Sequence, residues 1–106
     1  MKDKPDIPTP DFVQGLSEEG VKNFEREVLN GSLFRDVIQS IEDAALAGYT
    51  ETSRTFHSTE TKRALGVIRK NLQAAGYYCE FGIQTKLSYF GEYKEPCFVI
   101  KWSAEN

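Results

Sequence analysis

Histidine occurs once in this chain, at His57, and cysteine twice, at Cys79 and Cys97. A zinc site draws three or four ligands from His, Cys and carboxylates, most often at tight spacing, so no metal centre is expected. Two cysteines make no disulfide framework of the kind that staples small secreted domains. The eight glycines contain neither a GxxxxGK[ST] nor a GxGxxG pattern, which removes the usual glycine cradles for nucleotide phosphates. No apolar stretch approaches the roughly 18 residues of a membrane span. Met1-Lys2-Asp3-Lys4-Pro5-Asp6 leads into no apolar core of a signal peptide, so none is expected and the expected compartment is cytoplasmic. Long runs of one charge are missing too. The net charge is −3. The segment 1–48 carries 5 Lys/Arg against 10 Asp/Glu, and 49–106 carries 8 against 6. The basic residues cluster no further than pairs such as Lys62-Arg63. A duplex-binding face needs more clustered base than this, and a nucleic-acid mimic needs more acid.

What is present is an ordinary globular balance over 106 residues, 40% hydrophobic and 27% charged. That is one domain with one core. Residues 1–10 hold three of the four prolines (Pro5, Pro8, Pro10) and four charges. They read as a flexible arm, open to ordering on a partner, ahead of a single domain at 11–106.

Apolar spacing places the elements of that domain. A first helix starts near Asp11 or at Ser17, where Ser17-Glu18-Glu19 offers a cap and first-turn acids. Val21, Phe24 and Val28 form its stripe, and Asn30-Gly31 stops it. Ser32 caps a second helix with a wide apolar face running from Leu33 to Ala45, closed by Gly48. The Thr- and aromatic-rich segment 49–56 reads as a strand. Ser58 or Thr59 caps a third helix whose stripe is Leu65, Ile68, Leu72 and Ala75, with Gly76 as its C-terminal stop. From Tyr77 to Tyr89 odd positions are mainly apolar and even ones mainly polar, the period of a half-buried strand. Phe98, Ile100 and Trp102 line the last strand in the opposite phase. Partners across a hairpin share a face, so odd positions of one strand meet even positions of the other. Pairing Leu87 with Phe98, Thr85 with Ile100 and Ile83 with Trp102 meets that condition and centres the loop on residues 91–94. Cys79 and Cys97 then lie on opposite faces and far apart along the ladder, which precludes a bond between them. The expected fold is α+β: a small antiparallel sheet of about three strands with a C-terminal hairpin, packed by two or three helices in the order ααβαββ.

The residues offer few routes to catalysis. His57 beside Cys79 or Cys97 is the nearest approach to a nucleophile pair, but cysteine is among the most buried residue types. Asp and Glu fall mostly on solvent faces of helices, Glu42 and Asp43 included, rather than converging in a cleft. The segment 57–61 sits between a strand and a helix start, where free N–H groups attract anions. Ser58, Thr59 and Thr61 with Arg54 and Arg63 make a candidate anion site there, against the plainer reading of a helix cap. Tyr78 on the polar face of the sheet, and Phe90 and Tyr93 beside the hairpin loop, are candidate partner-binding residues, since exposed aromatics give large contact area at low entropic cost.

Ile41-Glu42, Ala44-Ala45 and Gly48-Tyr49, then Leu72 through Gly76-Tyr77, then Phe98-Val99-Ile100-Lys101-Trp102-Ser103 resemble a pattern of small accessory proteins encoded by tailed bacteriophages. That pattern has a helix closed by glycine, a strand, a helix ending in Leu-x-x-x-Gly-Tyr, and a last strand ending in Ile-x-Trp. The resemblance covers residues 33–103 and carries no binding motif with it. The lack of a catalytic constellation, the tyrosine-bearing hairpin and the proline-rich arm lead us to expect a protein without enzymatic activity or cofactor that binds a host protein; the resemblance implies a bacteriophage accessory protein acting in the host cytoplasm, in some cases as an inhibitor of host defence. The alternative it implies is an oligomer that sequesters a small anionic ligand such as a nucleotide signal. A homo-oligomer, a symmetric dimer by preference, is expected in either case.

Overall fold

A computed structural model describes residues 7–102. The elements run α1 (Pro10–Leu29), α2 (Ser32–Leu46), β1 (Glu51–Thr55), α3 (Thr59–Ala74), β2 (Tyr78–Ser88) and β3 (Gly91–Lys101). This is the α+β order ααβαββ read from the sequence. The proline-rich arm falls mostly outside the described residues, and its last residue, Pro10, opens the first helix. Thr9 is the N-cap of α1, its hydroxyl accepting from the Phe12 N–H at 3.2 Å, with Pro10 in the first turn. Proline suits that position because its missing N–H would find no partner within the helix. The helix begins at Pro10, next to the expected start near Asp11, and the other expected start, Ser17-Glu18-Glu19, lies inside it. Ser32 is the first helical residue of α2, and Gly31 precedes it as a cap without a side-chain bond.

α2 and α3 end in the same way. The Gly48 N–H reaches the Ala45 carbonyl and the Tyr49 N–H the Ala44 carbonyl; Gly76 and Tyr77 repeat this on Gln73 and Leu72. These are Schellman closures. They require positive φ at the glycine, observed at 94° for Gly48 and 106° for Gly76. The two Gly-Tyr pairs noted in the sequence are thus helix stops with a capping role.

The three strands form one antiparallel sheet in the order β1-β3-β2, so the last strand is central. Tyr78 pairs with Lys101, Cys79 with Ile100, Phe81 with Phe98, Leu87 with Glu92 and Ser88 with Gly91. The expected register is thus corrected by six residues, and the turn is the two-residue Tyr89-Phe90 rather than 91–94. An even shift leaves side chains on their faces, so the facing read from the sequence holds although the partners do not. Cys79 and Cys97 lie on opposite faces but only a few ladder positions apart, and both are free and buried.

One face of the sheet meets the helices. Val37 and Ile41 of α2, Leu65, Ile68 and Leu72 of α3, Phe56, and Cys79, Phe98 and Ile100 of the sheet form the core. Phe98 and Leu65 are fully enclosed. Phe81 packs between Phe56 and Phe98, with ring centroids at 5.8 and 5.1 Å. The helix α1 buries none of its residues completely. It leans on α3 through Phe24, over which the Arg63 guanidinium lies at 3.9 Å, and through a Glu25–Lys70 ion pair at 3.2 Å.

β1 pairs only with residues 97–101 of β3. Past Cys97 the sheet narrows to a two-stranded ribbon of residues 83–96. Its helix-side apolar residues Ile83 and Leu87 are 72% and 79% exposed.

Candidate functional site

The residues of the expected anion site separate. Ser58 is the N-cap of α3, accepting from the Thr61 N–H at 3.0 Å and donating to the Thr61 hydroxyl at 2.8 Å. Thr59 opens the helix beside it. These three hydroxyl residues are together, as read from their spacing. Arg63 turns to the α1 side, stacked on Phe24. Arg54 pairs with Phe98 on β3 and so projects on the helix-covered face. There it lines a recess of about 10 Å³ with Val37, Ser40 and Ile100, room for about one water. Its Nη1 is buried with no hydrogen-bond partner. The two arginines therefore point to different neighbours, one under α2 and the other against α1.

The aromatic candidates fall on the hairpin. Phe90 lies in the turn, 94% exposed, with Tyr89 at 96% exposed and 5.5 Å away edge-to-face. The turn is held by Ser88, whose hydroxyl accepts from the Phe90 N–H at 3.1 Å and donates to the Gly91 carbonyl at 2.9 Å. Tyr93 pairs with Lys86, the third pair from the turn. Tyr78 is at the other end of β2, opposite Lys101, roughly 27 Å from Tyr93 at ~3.4 Å per residue. Phe90 and Tyr93 thus form one locus with Tyr89, and Tyr78 another. Tyr89 was missed because in the alternating pattern it reads as the last apolar position of a strand. The two-residue connection ending in Gly91 is the signal that places it at the tip.

The face of the sheet turned away from the helices carries Tyr78, Glu80, Gln84 and Lys86 of β2, with Lys101, Glu95 and Tyr93 of β3. The Tyr78 hydroxyl donates to the Glu80 carboxylate at 2.8 Å. That hydrogen bond and the Glu80 charge raise the Tyr78 pKa above its ordinary value of 10.0. Glu95 draws Lys86 to 3.3 Å and His57 to 3.6 Å. Burial raises the Cys79 thiol, an effect that nearby Arg69 only partly opposes, so Cys79 is a poor nucleophile.

Among the described residues no group of three or more His, Cys, Asp or Glu side chains is placed to hold a metal ion, and no helix is long and apolar enough to cross a membrane. No family model, curated protein or solved structure matches the chain.

Proposed function

We propose that this chain is a small non-enzymatic accessory protein of bacteriophage type that acts by binding a host protein, with the hairpin tip as its contact. Tyr89 and Phe90 carry the reading: two adjacent aromatic side chains, each more than nine-tenths exposed, at the end of a ribbon that extends beyond the helices. Rigid aromatics in that position suit insertion into a partner's pocket. The Ser88 hydrogen bonds fix the turn, so little conformational freedom is lost on binding. Inhibition of a host defence protein is an activity that the resemblance, rather than the geometry of the tip, brings to this reading. The test is capture from host lysate by the immobilised wild-type protein and by Y89S/F90S. Retention of a host polypeptide by the first and its loss in the second supports the reading; equal capture by both overturns the tip as the contact.

A second reading, sequestration of a small anionic ligand such as a nucleotide, draws on the resemblance; the buried, unpartnered Nη1 of Arg54 lines a recess with room for about one water, so the ligand would have to open that recess to reach it. Native mass spectrometry of protein purified from host cells decides it. Added mass of a few hundred daltons that disappears in R54A/R63A supports this reading; bare protein in both removes it.

A further inference from the structure

The backbone of β2 carries an open edge. Among the described residues β2 lies at the margin of the sheet and pairs on one side only, with β3. That pairing runs one-to-one from Tyr78 to Ser88, so the strand has no bulge, and it contains no proline. These are devices that protect natural edge strands, and β2 lacks both. β3, by contrast, carries Pro96 where β1 ends.

The outward-facing groups of β2 can be assigned. The Phe56 N–H reaches the Pro96 carbonyl, and the Trp102 N–H reaches the Thr50 carbonyl. Even-numbered residues of β3 therefore direct their backbone groups toward β1, and odd-numbered ones toward β2. In an antiparallel ladder directly opposed residues either both face each other or both face away. The β2 partners of the odd β3 residues are even-numbered, so even β2 residues are occupied by β3. Cys79, Phe81, Ile83, Thr85 and Leu87 present their N–H and C=O groups outward.

We propose that β2 pairs with β2 of a second copy of this chain, antiparallel, about a two-fold axis at Ile83, joining two sheets into one. This register exchanges backbone hydrogen bonds between Ile83 and its own copy, between Phe81 and Thr85, and between Cys79 and Leu87. Charge complementarity selects it. Glu80 and Lys86 are the charged residues of β2. They share the open face and lie equally far from Ile83 on either side. An axis at Ile83 sets Glu80 of each copy opposite Lys86 of the other, in a non-hydrogen-bonded pair, where Cα atoms are about 4.5 Å apart and side chains are closest. Moving the axis to Gly82 puts Glu80 opposite Gln84, and moving it to Gln84 puts Glu80 opposite Ser88; axes at Phe81 or Thr85 also separate the charges. On the helix side the same register brings Ile83 against its copy and Leu87 beside Cys79, next to the second copy's α3. Both of these exposed side chains thereby gain cover. The inference gives the expected symmetric dimer an interface and is independent of what the hairpin tip binds, because Tyr89 and Phe90 lie past the paired residues.

The test uses the full chain in sedimentation and oxidative cross-linking. The wild type is expected to sediment as a dimer and Glu80→Lys as a predominantly monomeric species with an unchanged circular dichroism spectrum. The charge exchange E80K/K86E is expected to restore the dimer. Ile83→Cys, a substitution at an exposed site, is expected to form an interchain disulfide on mild oxidation, since opposed residues at about 5.5 Å between Cα atoms lie within disulfide reach; Glu92→Cys is expected not to. A monomeric wild type, a dimer indifferent to E80K, or equal cross-linking at positions 83 and 92 overturns the proposal. Capture of a host protein by a monomeric E80K variant separates this interface from the function of the tip.

Discussion

The two ends of the C-terminal hairpin are built from one continuous pair of strands and meet opposite fates. At the end with Cys79, Phe81, Phe98 and Ile100, a third strand and two helices cover the sheet, and the apolar face of the ladder disappears into the core. At the other end the same alternation continues through Ile83 and Leu87, which stay mostly exposed. The difference lies in neighbours and not in the strands' own pattern. β1 is only five residues long, and the ladder extends well beyond it. The covered half supplies stability. The uncovered half leaves the apolar side chains Ile83 and Leu87 in solvent and adds little.

That contrast can be broken by paired substitutions. The largest effect is expected for Phe98→Ala, a fully enclosed ring: a loss of about 3–5 kcal/mol in chemical denaturation. Phe90→Ala, an equal change in size at the ribbon tip, is expected to stay within about 0.5 kcal/mol. Similar losses at both sites would mean that the ribbon is covered within the folded chain. Gly76→Ala forces a side chain into a φ of 106° and is expected to cost about 1 kcal/mol or more, read from the same denaturation midpoint. Ser58→Ala removes the cap of α3 and is expected to cost about 1 kcal/mol. The ribbon contains no comparable backbone device beyond its turn.

The smallest effect is spectroscopic. The folded state holds the Tyr78 proton more tightly than the unfolded state does, because neutral Tyr78 donates to Glu80. The associated stability is complete below the ordinary value of 10.0 and is lost as pH rises through the folded value. Glu80→Gln removes the charge that causes the shift, so tyrosinate absorbance is expected to develop at lower pH. An unchanged titration would show that Glu80 does not hold the Tyr78 proton.

Much of this was legible in the residues. The 3–4 residue stripes gave the helices, and alternation gave the strand faces. Gly48 and Gly76 marked two helix ends, and Ser58 one start. Two starts of α1 were legible, because Ser17-Glu18-Glu19 also has the composition of a helix start; the structure takes the one near Asp11, where Thr9-Pro10-Asp11 combines a cap, a first-turn proline and an acid. The candidate anion site was only half legible. Ser58, Thr59 and Thr61 are local and stay together. Arg54 and Arg63 depend on which face of β1 and which side of α3 meets which helix, and local spacing does not fix that.

The sequence alone determined the element order and the facing of each strand, because helix and strand periods are local properties of the chain. It also set Cys79 and Cys97 on opposite faces, since facing depends only on parity. Only the tertiary structure decided the ladder register, the central place of β3 and the open edge of β2. Those depend on which backbone groups find partners across long sequence separations, and any even register shift satisfies the alternation equally well.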